Sequence, residues 1–137
     1  MSALSPAELL VCVAEPTRLR ILNCLAAAPL FVSDLQAVLD LPQPTVSRHL
    51  TVLKRSRVVR DTPIAQFVLY RLKPEGGPAG RLLTAVLDAL HHDERLRMER
   101  QRALERSRSH GRMVAGNRRA TVRGEAGGNY QAEGGGN

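Results

Sequence analysis

A mainly α fold carrying one small antiparallel β unit is what this sequence predicts. Three observations predict it. Between residues 5 and 55 the apolar residues recur at helical spacing in short runs punctuated by proline. Between residues 58 and 72 the period changes to two, and Val, Leu, Phe and Tyr dominate. The positive charge is also local: residues 43–73 hold 7 Lys or Arg against 1 acid. With 137 residues the chain is long enough for one domain and too short for two.

The elements follow in order. Ser5-Pro6-Ala7-Glu8 is a capping box with Pro at the first helical position, and Leu9, Leu10 and Val13 follow it. Pro16 ends that helix and opens a second, predicted from Pro16 to Ala28 with Leu19, Leu22, Leu25 and Ala26 in register. Pro29 stops it. Ser33-Asp34-Leu35-Gln36 is a second capping box, so a third helix is predicted to start at Ser33, with Leu35, Val38 and Leu39 on one face. Leu41-Pro42-Gln43-Pro44 forms a tight turn. A fourth helix is predicted from Gln43 to Arg55 on the stripe Val46, Leu50, Leu53.

A strand pair comes next, Val58–Asp61 and Gln66–Leu72, joined by Thr62-Pro63-Ile64-Ala65. Lys73 to Gly80 reads as a linker. One long helix then carries Leu82, Leu83, Val86, Leu87 and Leu90, and its charged second half, Glu94 to Arg106, reads as a solvated face. Residues 1–106 are therefore one domain. Residues 107–137 hold 5 basic and 2 acidic groups among Gly, Asn and Ala without periodicity, and read as a disordered basic tail.

Composition removes several classes of function. None of the 11 glycines precedes Gly76, which excludes a phosphate-cradling loop in the first half. Trp is absent, and Phe plus Tyr number 4, too few for a base-stacking platform. No apolar run reaches the ~18 residues that span a bilayer. No basic stretch precedes an apolar one at the N-terminus, so a cytoplasmic protein with free thiols is expected. There is no His-Glu-x-x-His, no Cys-x-x-Cys and no nucleophile elbow, and the adjacent acids Asp93-Glu94 face solvent, so no enzyme is read.

Two capped helices joined by a tight turn and followed by a basic strand pair make a winged helix-turn-helix, whose fourth helix is placed to enter a DNA major groove. At 100° per residue from Val46, Leu50 and Leu53 share the core side. Pro44, Arg48, Thr51 and Arg55 fall opposite, flanked by Thr45 and Ser47. Hydroxyls and guanidinium groups suit phosphate oxygens and the acceptors of guanine. Gln43 and Thr45 stand at the helix N-terminus, within reach of base edges and beside N–H groups that suit a phosphate. Lys54, Arg55, Arg57 and Arg60 extend the positive strip toward the wing. His49 flanks the core and reads as packing or as a phosphate contact. The plainer alternative is a solvated helix face on a small helical domain.

Residues 14–72 resemble the ArsR/SmtB family of bacterial winged-helix repressors. The likeness is carried by Ala14-Glu15-Pro16-Thr17-Arg18-Leu19-Arg20-Ile21-Leu22, by Gln43-Pro44-Thr45-Val46-Ser47-Arg48-His49-Leu50 and by Val68-Leu69-Tyr70-Arg71-Leu72. It implies a homodimer joined through the first and last helices. It also implies a repressor of an inverted-repeat operator that leaves DNA when a ligand or oxidant arrives.

The departures bear on the signal. Metalloid sensors of that family carry a Cys-Val-Cys-Asp-Leu run where this chain has Phe31-Val32-Ser33-Asp34-Leu35, which supplies no thiolate. Zinc-type members carry Asp-x-His on the last helix and a second His pair further on. Here Asp88 and His91 are three apart, His92 follows, and no second pair exists, so no metal site is expected. Cys12 and Cys24 remain as candidate thiol sensors, for arsenite or antimonite among other signals. Their plainer reading is a pair of small buried hydrophobes. Helix spacing predicts that they do not bridge within one chain. Two further readings stay open: a constitutive repressor without ligand, and a basic module that binds an acidic protein.

Overall fold

The computed structural model describes residues 4–73 and 76–125, with 111–125 as backbone alone. The chain divides into two units, residues 1–107 and 108–137. In the first unit lie α1 (Pro6–Val13), α2 (Pro16–Leu25), β1 (Leu30–Phe31), α3 (Val32–Leu39), α4 (Gln43–Arg55), β2 (Val59–Ile64), β3 (Phe67–Leu72), α5 (Gly77–Ala89) and a 3-10 turn (Leu90–His92). The last helix, α6, is Glu94–Glu125. The sheet has the order β1-β3-β2 and is antiparallel throughout. This is the winged helix-turn-helix expected from the sequence.

The helix starts rest on side-chain caps. Glu8 N donates to Ser5 Oγ at 3.2 Å while Ser5 N donates to Glu8 Oε2 at 2.9 Å, closing the box on α1. Glu15 caps α2 by accepting from Arg18 N at 2.8 Å. Helix α2 ends at Leu25, three residues before the predicted Ala28, because Ala27 N turns to Cys24 O in a tighter 3.0 Å bond. The stripe of α4 is buried as predicted, with Val46, Leu50 and Leu53 each 0% exposed. They pack on Ile21, Leu22 and Leu35 in one core.

Further expectations are corrected. Helix α3 starts at Val32, not Ser33, and its cap is shifted. The Asp34 carboxylate accepts from Phe31 N at 2.9 Å, since Leu30 and Phe31 are drawn into β1 opposite Tyr70 and Leu69. The wing turn is shorter than predicted. Thr62, Pro63 and Ile64 pair with Leu69, Val68 and Phe67, leaving only Ala65 and Gln66 as the turn. Pro63 fits because β2 is an edge strand, where its missing N–H costs no ladder bond.

The predicted long helix is broken at Asp93, an extended residue whose Oδ1 accepts from Leu96 N at 3.0 Å and caps α6. Finally, backbone predicted to lack order from 107 is helical to Glu125. Arg and Ala in this stretch favour a helix already nucleated, against about 1 kcal/mol each for Gly111, Gly116 and Gly124. The rest of that prediction, 126–137, lies outside the described residues.

The charged half of the last helix is not a solvated face either. Glu99 is 2% and Ala103 0% exposed. Arg20 grips Glu99 through Nε and Nη2, at 2.8–3.2 Å. Asn23, itself 1% exposed, donates to Leu96 O at 2.7 Å and accepts from Arg100 Nε at 3.0 Å. Arg106 Nε donates to the buried Asp34 Oδ1 at 3.0 Å. Helix α6 is thus pinned across α2 and α3 by paired polar groups, each of which would be costly alone.

Ala65 sits at φ 54 in the wing turn, a left-handed conformation that costs a Cβ-bearing residue roughly 1 kcal/mol. Ala65→Gly should therefore stabilise the protein by up to about 1 kcal/mol. Urea unfolding would read it as a higher midpoint at an unchanged slope.

Candidate nucleic-acid interface

The exposed side of α4 is set by its buried side. With Val46, Leu50 and Leu53 inward, Gln43, Pro44, Arg48, Thr51, Lys54 and Arg55 are exposed, and Thr45 and Ser47 are half-buried at the margins. Two bonds order this surface. Gln43 Nε2 donates to Ser47 Oγ at 2.8 Å, and Thr51 Oγ1 donates to Ser47 O at 2.9 Å. Arg48 and Arg55 therefore project from a face whose neighbours hold fixed rotamers. A guanidinium so placed can present two parallel donors to guanine O6 and N7 or to a phosphate.

The helix N-terminus offers less than the sequence implied. Pro44 has no N–H, and Thr45 and Val46 already donate to Pro42 O at 3.1 and 3.2 Å. Of the first four backbone groups only the Gln43 N–H has no backbone acceptor, which makes the amide side chain of Gln43 the main polar feature there.

The strip of cations read from the sequence is not continuous. Lys54 Nζ donates to Asp61 Oδ2 at 2.9 Å. That hydrogen bond raises the Lys54 pKa and lowers that of Asp61, and the paired carboxylate offsets the charge of Lys54 at the surface. Arg57 is exposed at φ 62 in the turn that ends α4, where Arg57 N reaches Lys54 O and Val58 N reaches Leu53 O, each at 3.0 Å. A left-handed residue is the usual end of a helix, though glycine usually fills it. Arg60 is exposed on the sheet face opposite Asp61, because side chains alternate along β2. So Arg48 and Arg55 share one surface, Arg57 flanks it, and Arg60 points away from the Lys54–Asp61 pair.

His49 lies on the inner margin. Its side chain is 13% exposed, and Nδ1 stands 3.7 Å from Glu15 Oε2, at the cap of α2. Of the two roles read for it, packing is the one this geometry serves. Arg18 Nε closes the same corner by donating to Cys12 O at 2.7 Å.

Cys12 and Cys24 are both free and buried, at 4% and 0% exposure. Burial pushes the Cys24 thiol up to about 12, which removes its thiolate at neutral pH. No group of three His, Cys, Asp or Glu side chains gathers to hold a metal among the described residues. His91 contacts Arg100, whose Nη2 also donates to Leu87 O at 3.0 Å. His91 thus abuts the junction of α5 and α6. Sequence reasoning missed the buried Glu99 and Asn23 altogether; the Glu-x-x-x-Ala spacing of Glu99 and Ala103 was the one local trace of an inward face on α6.

Comparison with known proteins agrees with this fold. Residues 15–61, which hold α2 through the start of the wing, match the family model described as bacterial regulatory protein, arsR family. The chain is 41% identical over 75 residues to the arsenical resistance operon repressor of Escherichia coli, covering 54% of this chain and 64% of that one. It is 40% identical over 72 residues to the HTH-type transcriptional regulator Rv2034 of Mycobacterium tuberculosis, covering 53% and 67%. The matched region thus spans about two thirds of the length of these curated relatives. Among solved structures, the transcriptional regulator HlyU of Vibrio vulnificus superposes with a TM-score of 0.54 at 36% identity, covering 63% of this chain and 83% of that one.

Proposed function

Since the chain belongs to the ArsR family of bacterial regulatory proteins, we propose that it is a DNA-binding transcriptional repressor, acting as a homodimer at an inverted-repeat operator. The observation that carries this reading is the exposed face of α4, where Gln43, Arg48, Thr51 and Arg55 stand clear of a fully buried stripe. Support for the dimer comes from α1, where Leu10 is 49% and Val11 73% exposed, and from Met98 on α6, 50% exposed. Large apolar side chains left in water on the first and last helices suit a second copy of the chain. The cytoplasm is the proposed location. The described helices include none long and apolar enough to cross a membrane. The basic stretch 107–137 would add affinity for any duplex.

Two recognition helices related by a two-fold should meet successive major grooves about 34 Å apart, so the protected site should be an imperfect palindrome. Arg48→Ala should weaken operator binding by roughly 1–3 kcal/mol and relax preference at one base pair of each half-site. Arg57→Ala should weaken all sequences alike and flatten the salt dependence by about one unit per contact. Footprinting with both variants tests the placement. Unchanged operator affinity for Arg48→Ala would remove α4 from the groove.

For the releasing signal, the relatives named for arsenical and arsenic resistance support arsenite as the first candidate, with antimonite as its chemical analogue. This chain could meet them only through Cys12 or Cys24, both inside the core, so the signal would have to enter on local opening. Operator release by arsenite that persists in both Cys12→Ser and Cys24→Ser would move the signal to other residues.

A further inference from the structure

The wing sheet has two unlike faces. On the inner one, Leu30, Val59, Tyr70 and Leu72 pack on the core. The register places Phe31, Arg60, Ile64, Phe67, Leu69 and Arg71 on the other face. Its far end is apolar. Ile64 and Phe67 are direct cross-strand partners, 43% and 55% exposed. The Phe67 ring is held edge-on against Phe31 with centroids 6.0 Å apart.

The near end is doubly positive. Arg60 and Arg71 are also direct partners, and like charges in that position repel. Arg71 Nε is buried and lacks a hydrogen-bond partner. Among the described residues of the three strands, no acid lies on this face to relieve the pair. Asp61 alternates to the inner side, where Lys54 holds it. Four residues separate the two ends, about 13 Å of strand.

We propose that this outer face of the wing is a docking surface for an acidic, apolar segment of a partner protein. A carboxylate would bridge the outer ends of the Arg60 and Arg71 guanidinium groups, while apolar side chains cover Ile64 and Phe67. Charge complementarity selects the acidic partner, and the exposed apolar pair selects protein over duplex. Phosphates would satisfy the arginines and leave Ile64 and Phe67 in water. The surface is separate from the exposed side of α4, so the proposal does not depend on the operator reading.

The test follows the backbone amides of the full chain by NMR during titration with a short synthetic peptide, half Asp and Glu, half Leu and Phe. Two control peptides replace the acids by Lys or the apolar residues by Ser. The amides of Ile64, Phe67, Leu69 and Arg71 should move with the first peptide only. Arg60→Glu should weaken that binding at least about tenfold while leaving the fold intact, since it turns a repulsive cross-strand pair into an attractive one. Phe67→Ser should weaken it comparably, and Arg48→Ala should not change it. Equal binding by wild type, Arg60→Glu and Phe67→Ser would overturn the proposal. So would movement of these amides with an operator duplex but not with the peptide, which would assign the face to DNA.

Discussion

Glu99→Ala should destabilise the protein by about 3–5 kcal/mol, the usual cost of stranding one member of a buried ion pair. The carboxylate is 3% exposed, and Arg20, 17% exposed, grips it with two nitrogens. Removing the acid leaves a mostly buried guanidinium anchored by Leu39 O alone, at 3.0 Å. The double variant Arg20→Met/Glu99→Leu should recover much of the loss, because two apolar residues of similar volume leave no charge to solvate. Chemical denaturation of the three variants reads both effects. If the single variant loses less than about 1 kcal/mol, α6 is not held on α2 in the way the geometry indicates.

Cys24 should govern an alkaline loss of stability. Its pKa is raised from 9.0 to about 12, chiefly by desolvation and then by the nearby Glu99 charge. A raised folded pKa means that the folded chain keeps a proton which the unfolded chain gives up above pH 9. Stability is therefore fully present below pH 9 and falls through the window up to pH 12, by about 4 kcal/mol at its end. Cys24→Ala should be somewhat less stable at neutral pH and markedly flatter through that window. Burial raises the Tyr70 pKa as well, so a smaller alkaline slope should survive in the variant. Parallel slopes for wild type and variant would show that the thiol is not sealed from water.

The parts of the fold legible in the sequence are those whose signal is local. The bounds of α4 and the box at Ser5–Glu8 are written in four to thirteen consecutive residues, and both stand as read. What escaped depends on partners far along the chain. Strand β1 is two residues long, and only pairing with Leu69 and Tyr70 makes it a strand. Glu99 looked like one charge in a solvated run because its partner Arg20 lies 79 positions away. Pro63 read as a turn because nothing nearby says that β2 is an edge. In the candidate site, the helical wheel located the exposed side of α4. It could not foresee that Asp61 would engage Lys54, or that strand alternation would send Arg60 to the far face.

The bond between Asp34 and Arg106 has a consequence for how the molecule comes into being. Residue 34 leaves the ribosome early, and its guanidinium partner follows 72 residues later. Asp34 is 0% exposed in the finished fold, and such a carboxylate does not stay buried uncompensated. Until α6 has emerged, Asp34 has the amide of Phe31 close by but not the charge of Arg106. A nascent or truncated chain lacking residue 106 should therefore hold the first turn of α3 less firmly than the finished protein does, although every residue of that turn is already present.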